Sequence, residues 1–229
     1  MPFLTEETHG TAKALFLGSA FWFLVGTLEG LTGAVHLAAP ELLGDISWLV
    51  FGRIRPMHTN TMIFGFVGSA LLGAAFCLVP MLSRVPLWSE RLGKVTVWLW
   101  NLAIVAGTAT LALGHSQSRE YAEWIWPVDV VVLLGLALVL LNLLCTVAAR
   151  RENTLYISAW YILAALVTTF FIYFFGNAVW NPRTGAISGM PDAILAWFYG
   201  HGVVGLFLTP LAVAVAYYVV PNVARSPLY

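Results

Sequence analysis

Long apolar runs alternate with short polar stretches along the whole chain, and the alternation predicts six membrane-spanning helices. The runs lie near Ala14 to Ala39, Pro56 to Leu82, Gly93 to Gly114, Pro127 to Ala149, Leu155 to Val179 and Pro191 to Val220. Each reaches the roughly 20 mostly apolar residues that cross a bilayer as a helix. Pro40 with Gly44 and Asp45 ends the first run, Ser83 to Arg91 the second, Ser116 to Glu123 the third, Arg150 to Asn153 the fourth, and Asn181 to Gly189 the fifth. The first run is too long and too interrupted for a cleaved signal peptide. No small-residue cleavage site follows a short apolar core, so it is read as a retained span. No internal repeat, linker or low-complexity tract divides residues 1–229, which are read as one helical membrane domain.

Composition fixes the setting. With 60% apolar and 10% charged residues and ten tryptophans in 229 positions, the chain is excluded from the ordinary soluble class and belongs in a lipid bilayer. Its formal net charge of zero leaves no basic stripe to neutralise phosphates, which excludes nucleic acid as a partner. Cys77 and Cys145 lie inside apolar runs and read as small packing residues rather than a disulfide or metal pair. Cytoplasmic loops retain Lys and Arg. An N-terminus on the cytoplasmic side places Lys13, Arg84, Arg91, Lys94, Arg150, Arg151 and Arg225 there, against Arg53, Arg55, Arg119 and Arg183 outside. Those four outer arginines call for an anionic partner, such as a cofactor carboxylate.

The histidines then sort by depth. His36, His58 and His115 fall near the outer ends of the first, second and third helices, and His9 on the cytoplasmic side. His201 lies about ten residues into the sixth helix, roughly 15 Å down at 1.5 Å per residue. An imidazole at that depth needs a partner or a metal. The stretch Arg53-Ile-Arg-Pro-Met-His-Thr-Asn60 puts His58 beside two arginines able to form forked bonds with propionates. Gly65, Gly68 and Gly73 thin the same helix, as a flat macrocycle requires and as helix packing also requires. His58 is therefore either an interfacial histidine bonded to a carbonyl or a haem ligand. His201, in Trp197-Phe-Tyr-Gly-His-Gly-Val, is either a buried donor to a neighbouring helix or a ligand for copper or iron. The acidic cluster Arg119-Glu-Tyr-Ala-Glu123, with Trp124, Trp126 and Asp129, reads as a solvated aromatic-belt loop or as a cover for a cofactor edge. Glu29, among Gly26, Gly30 and Gly33, faces the protein interior.

Four motifs resemble one family. Gly-Arg-Ile-Arg-Pro-Met-His-Thr-Asn (52–60), Ser-Arg-Glu-Tyr-Ala-Glu with a following Trp-Pro-Val-Asp (118–129), Trp-Phe-Tyr-Gly-His (197–201) and Tyr-Tyr-Val-Val-Pro (217–221) occur in the order and separation of the catalytic subunit of C-family haem-copper oxygen reductases, the cbb-type cytochrome c oxidases. The resemblance implies an all-α fold of six transmembrane helices, half of a twelve-helix bundle, in a bacterial-type inner membrane. It implies that His58 is an axial ligand of a low-spin haem b and His201 a copper ligand. Arg55 matches an arginine near the haem propionates, with Arg53 beside it. Glu120 and Glu123 match an acidic pair near the propionates, where the family holds calcium. The paired copper histidines, the cross-linked tyrosine and the opposite haem ligands belong to the family's second half. A second membrane chain is therefore expected to complete the bundle, with c-type cytochrome subunits or quinol as electron donors. Three rivals stay open: a nitric oxide reductase-like subunit, a non-catalytic membrane haem b subunit in which His36 or His115 opposes His58, and a structural subunit in which the ligand positions survive without cofactors.

Overall fold

The computed structural model describes residues 9–117, 119–178 and 189–226. Arg183 and most of the break read after the fifth helix lie outside these residues, as do Ser118 and Tyr229. Among the described residues, six helices are long and apolar enough to span a membrane: α1 (Gly10–Ala38), α2 (Phe51–Ser83), α3 (Glu90–Ala112), α4 (Trp126–Ala148), α5 (Ile157–Asn177) and α6 (Met190–Ala224). The protein is an all-α, multi-pass membrane protein.

The second helix begins earlier than its apolar run suggests. Val50, in extended conformation, precedes it, and Arg53 and Ile54 both bond back to the Val50 carbonyl. Pro56 then sits inside the helix rather than at its start, at the cost of the one intrahelical bond that its missing N–H would have made. At 33 residues, α2 is about 50 Å long, well beyond the roughly 30 Å of hydrocarbon. That length leaves room for Arg53 and Arg55, in the first turns, to lie outside the hydrocarbon, where charge is far less costly.

α2 is the axis of the fold and touches every other span. Small residues bring α1 close to it. A Cβ on Gly65 would stand 2.9 Å from Trp22, and one on Gly73 3.3 Å from Leu15. At the opposite end from Arg53, Glu90 in the first turn of α3 accepts from the Thr11 N–H at 2.9 Å and the Thr11 hydroxyl at 2.6 Å. That carboxylate satisfies donors at the start of α1 that have no intrahelical partner. Asn142 of α4 clasps Ser89 through its N–H (3.1 Å) and carbonyl (2.8 Å), and the Ser89 hydroxyl caps α3 by accepting from Leu92 N–H at 3.1 Å.

Among the described residues, three segments widen to π-helical geometry: Thr61–Gly68 in α2, Phe174–Ala178 at the end of α5, and Val203–Leu208 in α6. Side chains take carbonyls in each of them, Arg119 Nη1 donating to Gly176 O in the segment of α5. Trp100 Nε1 donates to Phe64 O at 3.1 Å, Ser19 Oγ to Phe66 O at 2.9 Å, and Thr209 Oγ1 to Val204 O at 2.8 Å. Burial is uneven: of the six spans α2 is the most enclosed and α6 the least. Cys77 and Cys145 are both free thiols.

Candidate cofactor-binding site

His58 lies two turns inside α2, where it meets α1 at a notch between two glycines. Its Nδ1 is 2.7 Å from the Gly26 carbonyl. A Cβ on Gly30 would fall 2.7 Å from His58 Cε1 and 2.9 Å from Nδ1, so only glycine at position 30 lets the ring reach that carbonyl. With Nδ1–H donated to the backbone, Nε2 keeps the free lone pair, the arrangement that orients a metal-ligating imidazole. The carbonyl bond of the interfacial reading is present, and it leaves Nε2 without a proton.

The expectation that His36, His58 and His115 share one level does not hold. The notch is at Gly26 and Gly30, and about 9 Å of helix rise separates Gly30 from His36. The cause is the early start of α2, which carries His58 deeper than a helix beginning at Pro56 would. His36 is buried and its Nε2 has no partner among the described residues, whereas His115 follows the end of α3 and is exposed.

Around the overhang of α2 the charged residues are already engaged. Arg53 Nη1 donates to Ala112 O at 2.8 Å, closing the carbonyl end of α3. Gly114, at φ +88°, leaves room for that guanidinium, since a Cβ there would stand 2.8 Å from Nη2. Arg55 forms an ion pair with Glu120 on the exposed side. Glu123 points inward: it is 6% exposed, and its Oε2 accepts from Asn60 Nδ2 at 2.8 Å. Burial pushes the Glu123 carboxyl above its ordinary range, against the opposing pull of the Asn60 bond, and the nearby Glu120 charge adds to the rise. The two carboxylates expected as a calcium pair therefore have separate partners, and among the described residues no group of three or more His, Cys, Asp or Glu could hold a metal.

Arg119 anchors the loop between α3 and α4. It is buried, donates through Nη1 to Gly176 O of α5, and forms an ion pair with Asp192 of α6 at 3.1 Å without hydrogen-bond alignment. His201 stands on the open face of α6 with Met190, Ile194, Trp197, Phe198 and Val204, all at least half exposed, while Tyr199 points the other way and is 1% exposed. One imidazole on an uncovered face fits a shared metal site that needs ligands from elsewhere. Glu29 is buried beside Thr61, with one carboxyl oxygen lacking a partner. Sequence reasoning missed Asn60, Gln117, Asp129 as a bonded group, and Tyr173. Their bonds join residues from 12 to 63 positions apart, a separation that no local pattern signals.

Fold and site together define a multi-pass helical membrane protein that gathers histidine, arginine and carboxylate side chains at one end of its bundle and leaves a histidine-bearing wall open. The chain belongs to the cytochrome c and quinol oxidase polypeptide I family, whose model matches residues 10–229. It is 33% identical over 230 residues to the cbb3-type cytochrome c oxidase subunit CcoN1 of Stutzerimonas stutzeri, covering 98% of this chain and 48% of that protein. It is 34% identical to cytochrome c oxidase subunit 1 of Rhodobacter capsulatus, over 100% of this chain and 44% of the relative. To the bacteroid cytochrome c oxidase subunit 1 homolog of Bradyrhizobium diazoefficiens the identity is 38%, over 96% and 41%. The chain thus spans somewhat less than half the length of these relatives, and its six helices are consistent with half of a larger haem-copper oxidase bundle.

Proposed function

We propose that the chain is part of a cbb-type haem-copper terminal oxidase, providing His58 as one axial ligand of a low-spin haem b and His201 as one copper ligand. A second membrane chain supplies the remaining ligands, and the assembled complex reduces oxygen with electrons from cytochrome c. The observation that carries this reading is the fixed imidazole of His58, whose Nδ1 is held by the Gly26 carbonyl so that Nε2 is left to ligate. Haem and copper, when bound, supply electron relay and dioxygen activation. The residues of this chain orient them: Gly30 clears space for the ring, Arg53 and Arg55 lie where propionates would be neutralised, and Glu120 and Glu123 border that region as candidate calcium or propionate neighbours. The N-terminus lies on the cytoplasmic side of a bacterial inner membrane, by the distribution of Lys and Arg.

The test is spectroscopic, on the intact membrane complex. His58→Ala is expected to abolish the low-spin haem b signal, while His36→Ala and His115→Ala leave it unchanged. A His58→Ala complex with an unaltered low-spin spectrum would refute the assignment. Copper content in His201→Ala, and turnover of oxygen against nitric oxide, separate an oxygen reductase from its nitric oxide-reducing relatives.

A further inference from the structure

At the end of the bundle opposite Arg53, the last turns of α2 and α6 and the start of α5 enclose a groove that the haem and copper assignments leave unused. Two cavities, of about 350 and 520 Å³, meet there and share Leu82 and Tyr156. Each lies within the roughly 300–1,000 Å³ of sites that hold small molecules. The groove is amphipathic. Leu82 and Tyr218 are half-buried inside it, whereas Arg84 and Thr154 on one side and Asn222 and Arg225 on the other are exposed at its rim. Tyr156 fixes the walls, since its hydroxyl donates to Tyr217 O at 2.9 Å and so ties the start of α5 to the end of α6.

The cations around the rim differ in what holds them. Arg84 pairs with Glu152 at 3.0 Å, and Arg150 Nη1 donates to Val147 O at 3.3 Å. Glu152 is the one acidic residue lining either cavity among the described residues, and that pairing neutralises it. Arg151 is fixed beside the groove by its backbone N–H, which donates to Ser83 O at 3.0 Å. Neither its guanidinium nor that of Arg225 has a partner among the described residues. Both α2 and α6 end on an arginine in left-handed conformation, Arg84 at φ +53° and Arg225 at φ +50°, where glycine is the usual residue. A cation complements the helix dipole from any position in the last turn, so the dipole alone does not call for arginine at this strained one.

We propose that this groove binds an anionic glycerophospholipid of the bilayer, its phosphate held by Arg225 and attracted by Arg151, its acyl chains lying against Leu82 and Tyr218. Basic pockets between membrane helices are where anionic headgroups lodge, and tyrosines at the same level suit the boundary between headgroup and hydrocarbon. Asn222 Nδ2 donates to Tyr218 O at 2.6 Å, which leaves its Oδ1 to accept. A headgroup with a free hydroxyl, such as phosphoglycerol, supplies that donor. A zwitterionic headgroup brings an ammonium that the two arginines repel. No haem or copper enters this proposal, so it stands or falls apart from the oxidase reading.

The experiment uses the intact complex, delipidated in detergent, as wild type, as the double variant Arg151→Gln with Arg225→Gln, and as Lys94→Gln, a cation at the same end of the bundle that lines neither cavity. Native mass spectrometry titrates each with phosphatidylglycerol and with phosphatidylcholine of the same chains, and repeats the first titration in millimolar inorganic phosphate. Each basic residue near a headgroup strengthens binding about fivefold, so the wild type is expected to prefer phosphatidylglycerol by about twentyfold. The double variant should lose that preference, and Lys94→Gln and inorganic phosphate should leave it in place. A photoactivatable phosphatidylglycerol, cross-linked to the wild type and mapped by peptide, should label residues 81–84, 154–156 or 218–226, a readout that does not depend on the variants assembling. An equal loss in Lys94→Gln means diffuse surface charge and overturns the proposal. So do displacement by inorganic phosphate, which marks a site for the free ion, and cross-links confined to other segments, which mark a groove covered by protein in the complex.

Discussion

At Gly30 a single methyl group would displace the residue on which the proposed haem site depends. The added Cβ would stand 2.7 Å from His58 Cε1, so the ring must swing away and its bond to the Gly26 carbonyl is lost. Gly30→Ala is expected to destabilise the chain by about 1–3 kcal/mol, as overpacking does, and to lower haem occupancy in the complex. Gly52 makes the control, because a Cβ there meets nothing within 4 Å; Gly52→Ala should be neutral or slightly stabilising, by up to about 1 kcal/mol. Thermal unfolding with haem quantification on both variants checks the pair. Glu123 carries the pH-dependent prediction. Its carboxyl titrates above the ordinary glutamate value, chiefly through burial, so the folded state holds the proton more tightly than the unfolded chain. Its contribution to stability is therefore complete below that value and declines as pH rises through the raised one. Glu123→Gln, which keeps an oxygen for Asn60, should flatten this decline in melting curves taken from about pH 4 to about pH 7.

Between elements, the two arginine pairs at this end of the bundle differ in what they hold. Arg119 is buried and joins the third loop to the end of α5 and the first turn of α6. Removing it leaves the Gly176 carbonyl and Asp192 without their cation, and Arg119→Ala is expected to cost about 3 kcal/mol or more. Arg55 and Glu120 are 48% and 36% exposed as side chains, where solvent screens the pair, and Arg55→Ala should cost no more than about 1 kcal/mol. Denaturant or thermal unfolding of both variants in detergent ranks them, and equal costs would mean that Arg119 does not tie the helices together. The π-helical segments belong to the same scale. They carry α2 and α6 past His58 and His201 with a changed helical phase, so the residues that follow face directions that a uniform helical period does not assign.

Across the whole molecule, the spans were legible because a membrane demands long apolar runs, and the six runs from Ala14 to Val220 supplied them. The start of α2 was not legible, since Arg53, Arg55 and Pro56 have the composition of a loop and only their bonding back to the turn at Val50 makes them helical. The π-helical turns were hidden for another reason: in Thr61–Gly68 and Val203–Leu208 nearly every residue is apolar, so no polar marker reveals a change of period. His58 and His201 were found as candidates by type and depth, but the Gly26 carbonyl, Asn60 and the Asp129–Tyr173 bond depend on which helices pack together.

The glycine notch has a mechanical consequence at this scale. A slide of α2 along α1 by one turn, about 5.4 Å, would bring the imidazole to the neighbouring positions four residues away, and there the sequence offers Trp22 on one side and Ala34 on the other. Only Gly26 with Gly30 gives a bare carbonyl and a bare methylene together, so the ring acts as a height stop between the first two helices. Ratcheting, one of the ways packed helices transmit a signal, is closed to this pair, and any change passed across the membrane here must travel by rotation about the helix axes or through the connecting loops.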